Sequence, residues 1–167
     1  MTPYKHMQIG YLMTVVTVII LVFFMWLQIT ARAEFPSVDS GANFAVTVIM
    51  VLILFFLVSF TTLTVSINDD YLRIKFGFGI FAKKFALDQI VSVQVVKNRW
   101  YHGWGIRLWL WPYMWIYNIS GFDAIEIQMK NGRIYRIGTD DPSGLETAIE
   151  EHKGKLVMRD SSETADE

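Results

Sequence analysis

Two long uncharged stretches, followed by a region of alternating apolar and polar positions, divide this chain into unlike parts. Residues 9–31 carry no formal charge, and as a helix rising 1.5 Å per residue they would extend about 34 Å. Residues 43–63, with an apolar centre over 44–63, are nearly as long. Both match a hydrocarbon core of roughly 30 Å, so the pattern predicts transmembrane helices at 9–31 and 43–63, after an N-terminal segment 1–8 and joined by a short loop 32–42. Ala31-Arg32-Ala33 has the small-residue spacing of a signal cleavage site. Against cleavage after Ala33, the apolar run exceeds the roughly 7–15 residues of a signal h-region, and the first span is expected to be retained.

Beyond residue 63 the period changes to two. Leu72, Ile74 and Phe76 alternate with Tyr71, Arg73 and Lys75; Val91, Val93 and Val95 alternate with Ser92 and Gln94; Ile125, Ile127 and Met129 alternate with Glu126, Gln128 and Lys130. This is the pattern of half-buried strands, and turn residues at Asn68-Asp69-Asp70, Gly77-Phe78-Gly79, Asn118 to Gly121 and Asn131-Gly132 separate them. Six or seven antiparallel strands are expected. At Asn131-Gly132, a three-residue loop with glycine left-handed would pair Ile127 with Tyr135 and Ile125 with Ile137; a two-residue loop would pair Ile127 with Arg136 and turn every side chain over.

Asp141-Pro142 reads as an N-cap followed by a proline in the first helical position. Leu145, Ala148 and Ile149 then recur at helical spacing, with Gly154 where a C-terminal cap is expected. Residues 155–167 are read as an extension ending in a disordered tail, since 160–167 hold four acids and no base. The fold class is thus a membrane α-helical hairpin joined to an α+β or mainly-β domain over 64–154.

Several short strands closed by one C-terminal helix is the layout of a pleckstrin-homology-like barrel or sandwich. Residues 67–149, especially INDDYLRIKFGFG, WYHGWGIR, WIYNISGFDAIEI and NGRIYRIGTDDP, resemble the bacterial pleckstrin-homology-like domains of small membrane proteins, in which two membrane spans precede the domain. The resemblance implies an antiparallel barrel and an anchoring mode, and carries over no catalytic or ligand residue. The early turns contain no Lys or Arg, unlike the basic loop with which phosphoinositide-reading relatives hold their ligand.

Charge decides orientation. Lys5 precedes the first span; the connecting segment offers Arg32 beside Glu34 and Asp39; Arg73, Lys75, Lys83 and Lys84 follow the second. Lys and Arg resist translocation, which places both termini in the cytoplasm of a multi-pass protein of the cytoplasmic membrane. The Asn118-Ile119-Ser120 sequon then lies on the side where it is not glycosylated. A net charge of −1 disfavours nucleic acid as a partner, and the absence of Cys removes thiol chemistry and cysteine-ligated metals.

The region most able to carry function is aromatic. Five of the six tryptophans, Trp100, Trp104, Trp109, Trp111 and Trp115, fall within sixteen positions. Trp and Tyr partition to the headgroup layer and Arg meets lipid phosphate, so Arg99, Trp100, Tyr101, Trp104, Arg107, Trp109 and Trp111 are the candidate membrane-surface contacts, set against internal or subunit packing and against a small-ligand pocket. His6, His102 and His152 are scattered without a second ligand at a metal-binding interval, and neither GxSxG nor a complete phosphate loop is present. No catalytic residue, cofactor or metal is expected. The expected role is a membrane-anchored, non-enzymatic interaction or assembly module whose partners are the bilayer, further copies of itself or another membrane protein. The alternative is an accessory subunit of a transporter or envelope enzyme, docked through the helical hairpin.

Overall fold

A computed structural model describes residues 4–34, 40–68, 70–111 and 113–163, without the side chains of 32–34, 40–42, 102 and 159–163. The first element is a strand that the hydropathy pattern conceals: β1 (Tyr4–Ile9). Two helices follow, α1 (Tyr11–Glu34) and α2 (Ser40–Val58). Then come β2 (Thr62–Asn68), β3 (Tyr71–Phe76), β4 (Phe81–Ala86), β5 (Ile90–Lys97), β6 (Gly105–Leu110), β7 (Tyr113–Asn118), β8 (Asp123–Met129), β9 (Ile134–Gly138) and α3 (Pro142–Glu163). Residues 35–39, at the centre of the expected loop, lie outside the described residues.

The strands form two sheets, ordered β1-β2-β3-β4 and β5-β8-β9-β7-β6. All pairings are antiparallel except β7 with β9. The six or seven antiparallel strands expected after the spans are corrected to eight among the described residues, β2 to β9, with one parallel pair, because β9 folds back from β8 and enters the slot beside β7. Between the sheets lies one apolar core, with Leu63, Ile67, Leu72, Ile74, Phe76, Ile125, Ile127 and Ile137 removed from solvent. Helix α3 packs against β5, β8 and the short turn at Leu87–Gln89, burying Leu145 and Ile149.

Strand β1 corrects the domain boundary as well. It pairs with β2 in the register Tyr4↔Ile67 to Ile9↔Thr62, so the β domain includes residues on both sides of the helices. Its inward side chains are polar: the Tyr4 hydroxyl donates to Asp141 at 3.2 Å, His6 Nε2 lies 2.5 Å from an Asp140 carboxylate oxygen, and Gln8 donates to the Gly138 carbonyl at 2.8 Å. An inward face built of polar, hydrogen-bonding side chains gives no alternating apolar signal.

Among the described residues, one helix is long and apolar enough to cross a membrane, over Tyr11–Ala31 of α1. The expected second span over 43–63 is corrected: α2 ends at Val58, and its described apolar stretch is Asn43–Val58. Ser59 and Thr61 turn the chain by donating their hydroxyls to the carbonyls of Phe55 and Val58, and Leu63 is already wholly buried in β2. Absence of charge continues through this change, so a charge-free window runs on past the true end. The helices touch through Gln28, whose amide donates to Thr47 at 3.0 Å.

The Asn131-Gly132 hairpin takes the three-residue form. Ile127 faces Tyr135, Ile125 faces Ile137, Gly132 is left-handed at φ 77°, and its amide donates to the Met129 carbonyl at 2.9 Å. Asp141 caps α3 by accepting the Gly144 amide at 3.0 Å. The helix does not stop at Gly154, however. It continues to Glu163 and includes the first part of the expected tail, because one helical glycine costs only about 1 kcal/mol and Lys155, Leu156 and Met158 favour a helix. Residues 164–167 lie outside the described residues.

At Gly77, φ is 44° and an added Cβ would sit 2.5 Å from the backbone oxygen of Ser59. Gly77→Ala is expected to cost at least about 2 kcal/mol, from left-handed strain plus the backbone clash, measured by thermal unfolding in detergent. Burial, and then the neighbouring Tyr135, push the Tyr117 hydroxyl up to about 12. With a folded value above the unfolded one near 10, this residue's contribution is intact below about pH 10 and lost as pH climbs to about 12. Tyr117→Phe is expected to flatten that part of the alkaline stability profile.

Candidate functional site

The expected aromatic contacts come from one loop and one hairpin. Residues 98–104 leave β5 and turn at Trp100–His102 before β6 begins; β6 and β7 are joined at Trp111. Register fixes the ends of this hairpin: Gly105 faces Asn118 at one end and Leu110 faces Tyr113 at the other, about 17 Å away along the strand. The first end adjoins the helices, since the Ile119 carbonyl lies 3.1 Å from where a Cβ on Gly10 would be, immediately before α1. Trp111 therefore occupies the end remote from them.

Arg99, Tyr101, Trp109 and Trp111 gather around one cleft of about 340 Å³ that Lys97, Met114 and Arg136 complete. Arg99 donates to the Tyr101 hydroxyl at 3.0 Å, and its guanidinium carbon is 5.9 Å from that ring's centre. Tyr101 stacks on Trp109 at 5.6 Å, and Trp109 donates its indole N–H to the Trp111 carbonyl at 2.7 Å. Arg136 is held by Glu126 at 2.7 Å. The remaining members stand apart. Trp100 is 77% exposed, Trp104 is half-buried, and Arg107 lies over Gly103, where a Cβ would meet its guanidinium carbon at 2.7 Å. Trp115 packs against the core.

The cleft can receive an anionic or planar group, but the described residues around it hold no nucleophile–base pair. Histidines are placed elsewhere: His6 against Asp140, and buried His152 with Nδ1 at 2.7 Å from the Ala148 carbonyl, a contact its N–H tautomer satisfies. The His102 side chain is outside the described ones. Asn118 of the sequon is buried and donates to the Gly121 carbonyl.

The sequence reading missed a second exposed group, at the turn between β3 and β4. Phe78 is 65% exposed and Ile80 55%, yet Phe78 stacks on Phe55 of α2 at 5.8 Å. Beneath it Phe56, Phe60, Phe76 and Phe81 interlock at ring separations of 5.1 to 5.8 Å, fastening the helix to the β domain. The signal was available as an apolar residue between Gly77 and Gly79, where turns are ordinarily polar.

Comparison with known protein families, characterised proteins and solved structures finds no match to this chain.

Substitutions should separate the exposed from the packed aromatics. Trp111→Ala is expected to change unfolding stability by less than about 0.5 kcal/mol, whereas Trp115→Ala should cost about 3 kcal/mol, read from denaturant unfolding in detergent.

Proposed function

We propose that the protein is a non-enzymatic interaction or assembly module, held at the cytoplasmic face of the cytoplasmic membrane by α1 and α2 together. The observation that carries this reading is the pairing of β1 with β2. A strand before α1 and a strand after α2 belong to one sheet, so a chain that crosses the bilayer in α1 must return. Helix α2 has 19 residues, about 28 Å of helix, which with flanking adjustment can make the return crossing. Many apolar side chains of both helices are exposed, including Val18, Val22, Ile49 and Leu52, which suits a lipid surrounding. Cleavage after Ala33 would remove β1 and its buried Gln8, so the sheet favours retention of the first helix. The Lys and Arg distribution puts the β domain and the N-terminus inside.

The two sheets and closing helix support a pleckstrin-homology-like reading of the domain, from which the parallel β7–β9 pair and the added β1 depart. The face offered to a partner is the remote end of the β6–β7 hairpin. Leu110 and Tyr113 are exposed there, Trp111 is 90% exposed, and the edge of β6 is unpaired among the described strands. Anchoring raises the local concentration of such a weak surface for a second copy or another membrane protein. An accessory-subunit role is favoured by a separate observation, an apolar groove of about 340 Å³ between α1 and α2 lined by residues such as Phe24, Met25, Met50 and Leu54. Co-purification of a stoichiometric membrane partner that is lost on Met50→Trp would favour that second reading.

The chain has no cysteine, so single introduced thiols report topology directly. In sealed spheroplasts an impermeant maleimide should label Ser37→Cys and leave Lys130→Cys unlabelled until the membrane is permeabilised. Labelling of Lys130→Cys in sealed spheroplasts would overturn the proposal.

A further inference from the structure

The register of the first sheet brings together charges that are scattered in the sequence. Lys5 faces Ser66, Ser66 faces Arg73, and Arg73 faces Lys84, which sets three cations in one row across four strands. Lys75 stands on the same face in the next row towards the helices, opposite Thr64 and Ala82. The alternate side chains, Leu63, Val65, Leu72, Ile74 and Phe76, fill the core, so the cationic row looks outward. No residue of β1 to β4 is acidic. Among the described residues Lys5, Arg73, Lys75 and Lys84 form no salt bridge. Like charges directly opposite on neighbouring strands repel, so this face is unbalanced until an anion reaches it.

An apolar margin adjoins the cations at the helix end of the same sheet. Ile9 and Met7 are exposed on β1, and exposed Phe78 and Ile80 stand at the β3–β4 turn beside α2. Cations beside apolar side chains, continuous with the surface of a helix suited to lipid, match the boundary between headgroups and acyl chains. An acidic protein or a polynucleotide would leave the apolar margin without a partner.

We infer that the outer face of the β1–β4 sheet is a docking surface for anionic phospholipid, with Lys5, Arg73, Lys75 and Lys84 meeting headgroup phosphates while Phe78 and Ile80 enter the interface. The inference rests on the membrane reading above and deepens it by stating which face of the domain lies on the bilayer. Each basic residue close to an anionic leaflet adds to the attraction, and the attraction falls off within a Debye length, so the contact is salt-sensitive. The four cations are spread over an outward sheet face, so the surface recognises charge density.

The test uses the full chain in vesicles, with an environment-sensitive fluorophore on a single thiol at Ile80→Cys, Val18→Cys or Gln128→Cys, and lipids carrying a quencher either near the headgroup or at mid-chain. In vesicles with about 30 mol % phosphatidylglycerol, the Ile80 probe should be quenched by the headgroup-proximal label at least about twofold more than in pure phosphatidylcholine. High salt should abolish the difference, as should Arg73→Glu with Lys84→Glu; Arg73→Lys with Lys84→Arg should preserve it. Mid-chain quenching of Val18, with an Ile80 response no greater than that of Gln128 or unaffected by lipid charge, would overturn the docking surface and leave the membrane reading standing. Failure of mid-chain quenching at Val18 would overturn both.

Discussion

A short strand on one side of a helical hairpin, hydrogen-bonded to a strand on the other, is the constraint from which the rest of the arrangement follows. Ile9 lies opposite Thr62, and the Gly10 amide donates to the Thr61 carbonyl at 2.7 Å, so the two helices leave and re-enter the β domain at the same place. Each helix is separated from its strand by only a few residues. The domain cannot swing away from the hairpin as if on a linker, and the interlocked phenylalanines of α2, β3 and β4 strengthen the joint further. Rigidity here sets which surfaces of the domain lie near the helices and which lie far from them.

That division gives two surfaces of different chemistry. Next to the helices is the apolar turn at Phe78 and Ile80, from which the outward cations of the first sheet run back through Lys75 to the Lys5–Arg73–Lys84 row, about 14 Å along the strands from Ile9; about 17 Å along β7 are Leu110, Trp111 and Tyr113. In the proposed reading the first meets lipid and the second meets protein. His6 pairs with Asp140 and Asp141 caps the start of α3, contacts that hold β1 and α3 in place, while His152 bonds within α3.

Much of the fold could be read from local chemistry. Alternation located the strands, Asn131-Gly132 determined a register, and Asp141-Pro142 marked the start of a helix, because each depends on residues a few positions apart. What escaped required a distant partner. The inward residues of β1 are Tyr4, His6 and Gln8, whose burial makes sense only against Gly138, Asp140 and Asp141. The end of α2 falls in an uncharged run where only pairing of β2 distinguishes helix from strand. Gly154 looks like a stop, yet the straight-chain residues after it let the helix proceed. The candidate site was legible in part: the sequence displays the cluster of Trp and Arg, but the hairpin distributes its members along both ends, and it took cross-strand register to reveal that Lys5, Arg73 and Lys84 share a row.

The central claim is that residues before and after the hairpin are strand neighbours. Paired strands hold facing Cα atoms about 4.5–5.5 Å apart, within the range a disulfide can bridge. In the cysteine-free background, Met7→Cys with Thr64→Cys should oxidise rapidly to an intramolecular disulfide in native membranes, and the off-register pair Met7→Cys with Ser66→Cys should do so much more slowly. Equal rates for the two pairs, or bridges formed only between different chains, would contradict the account.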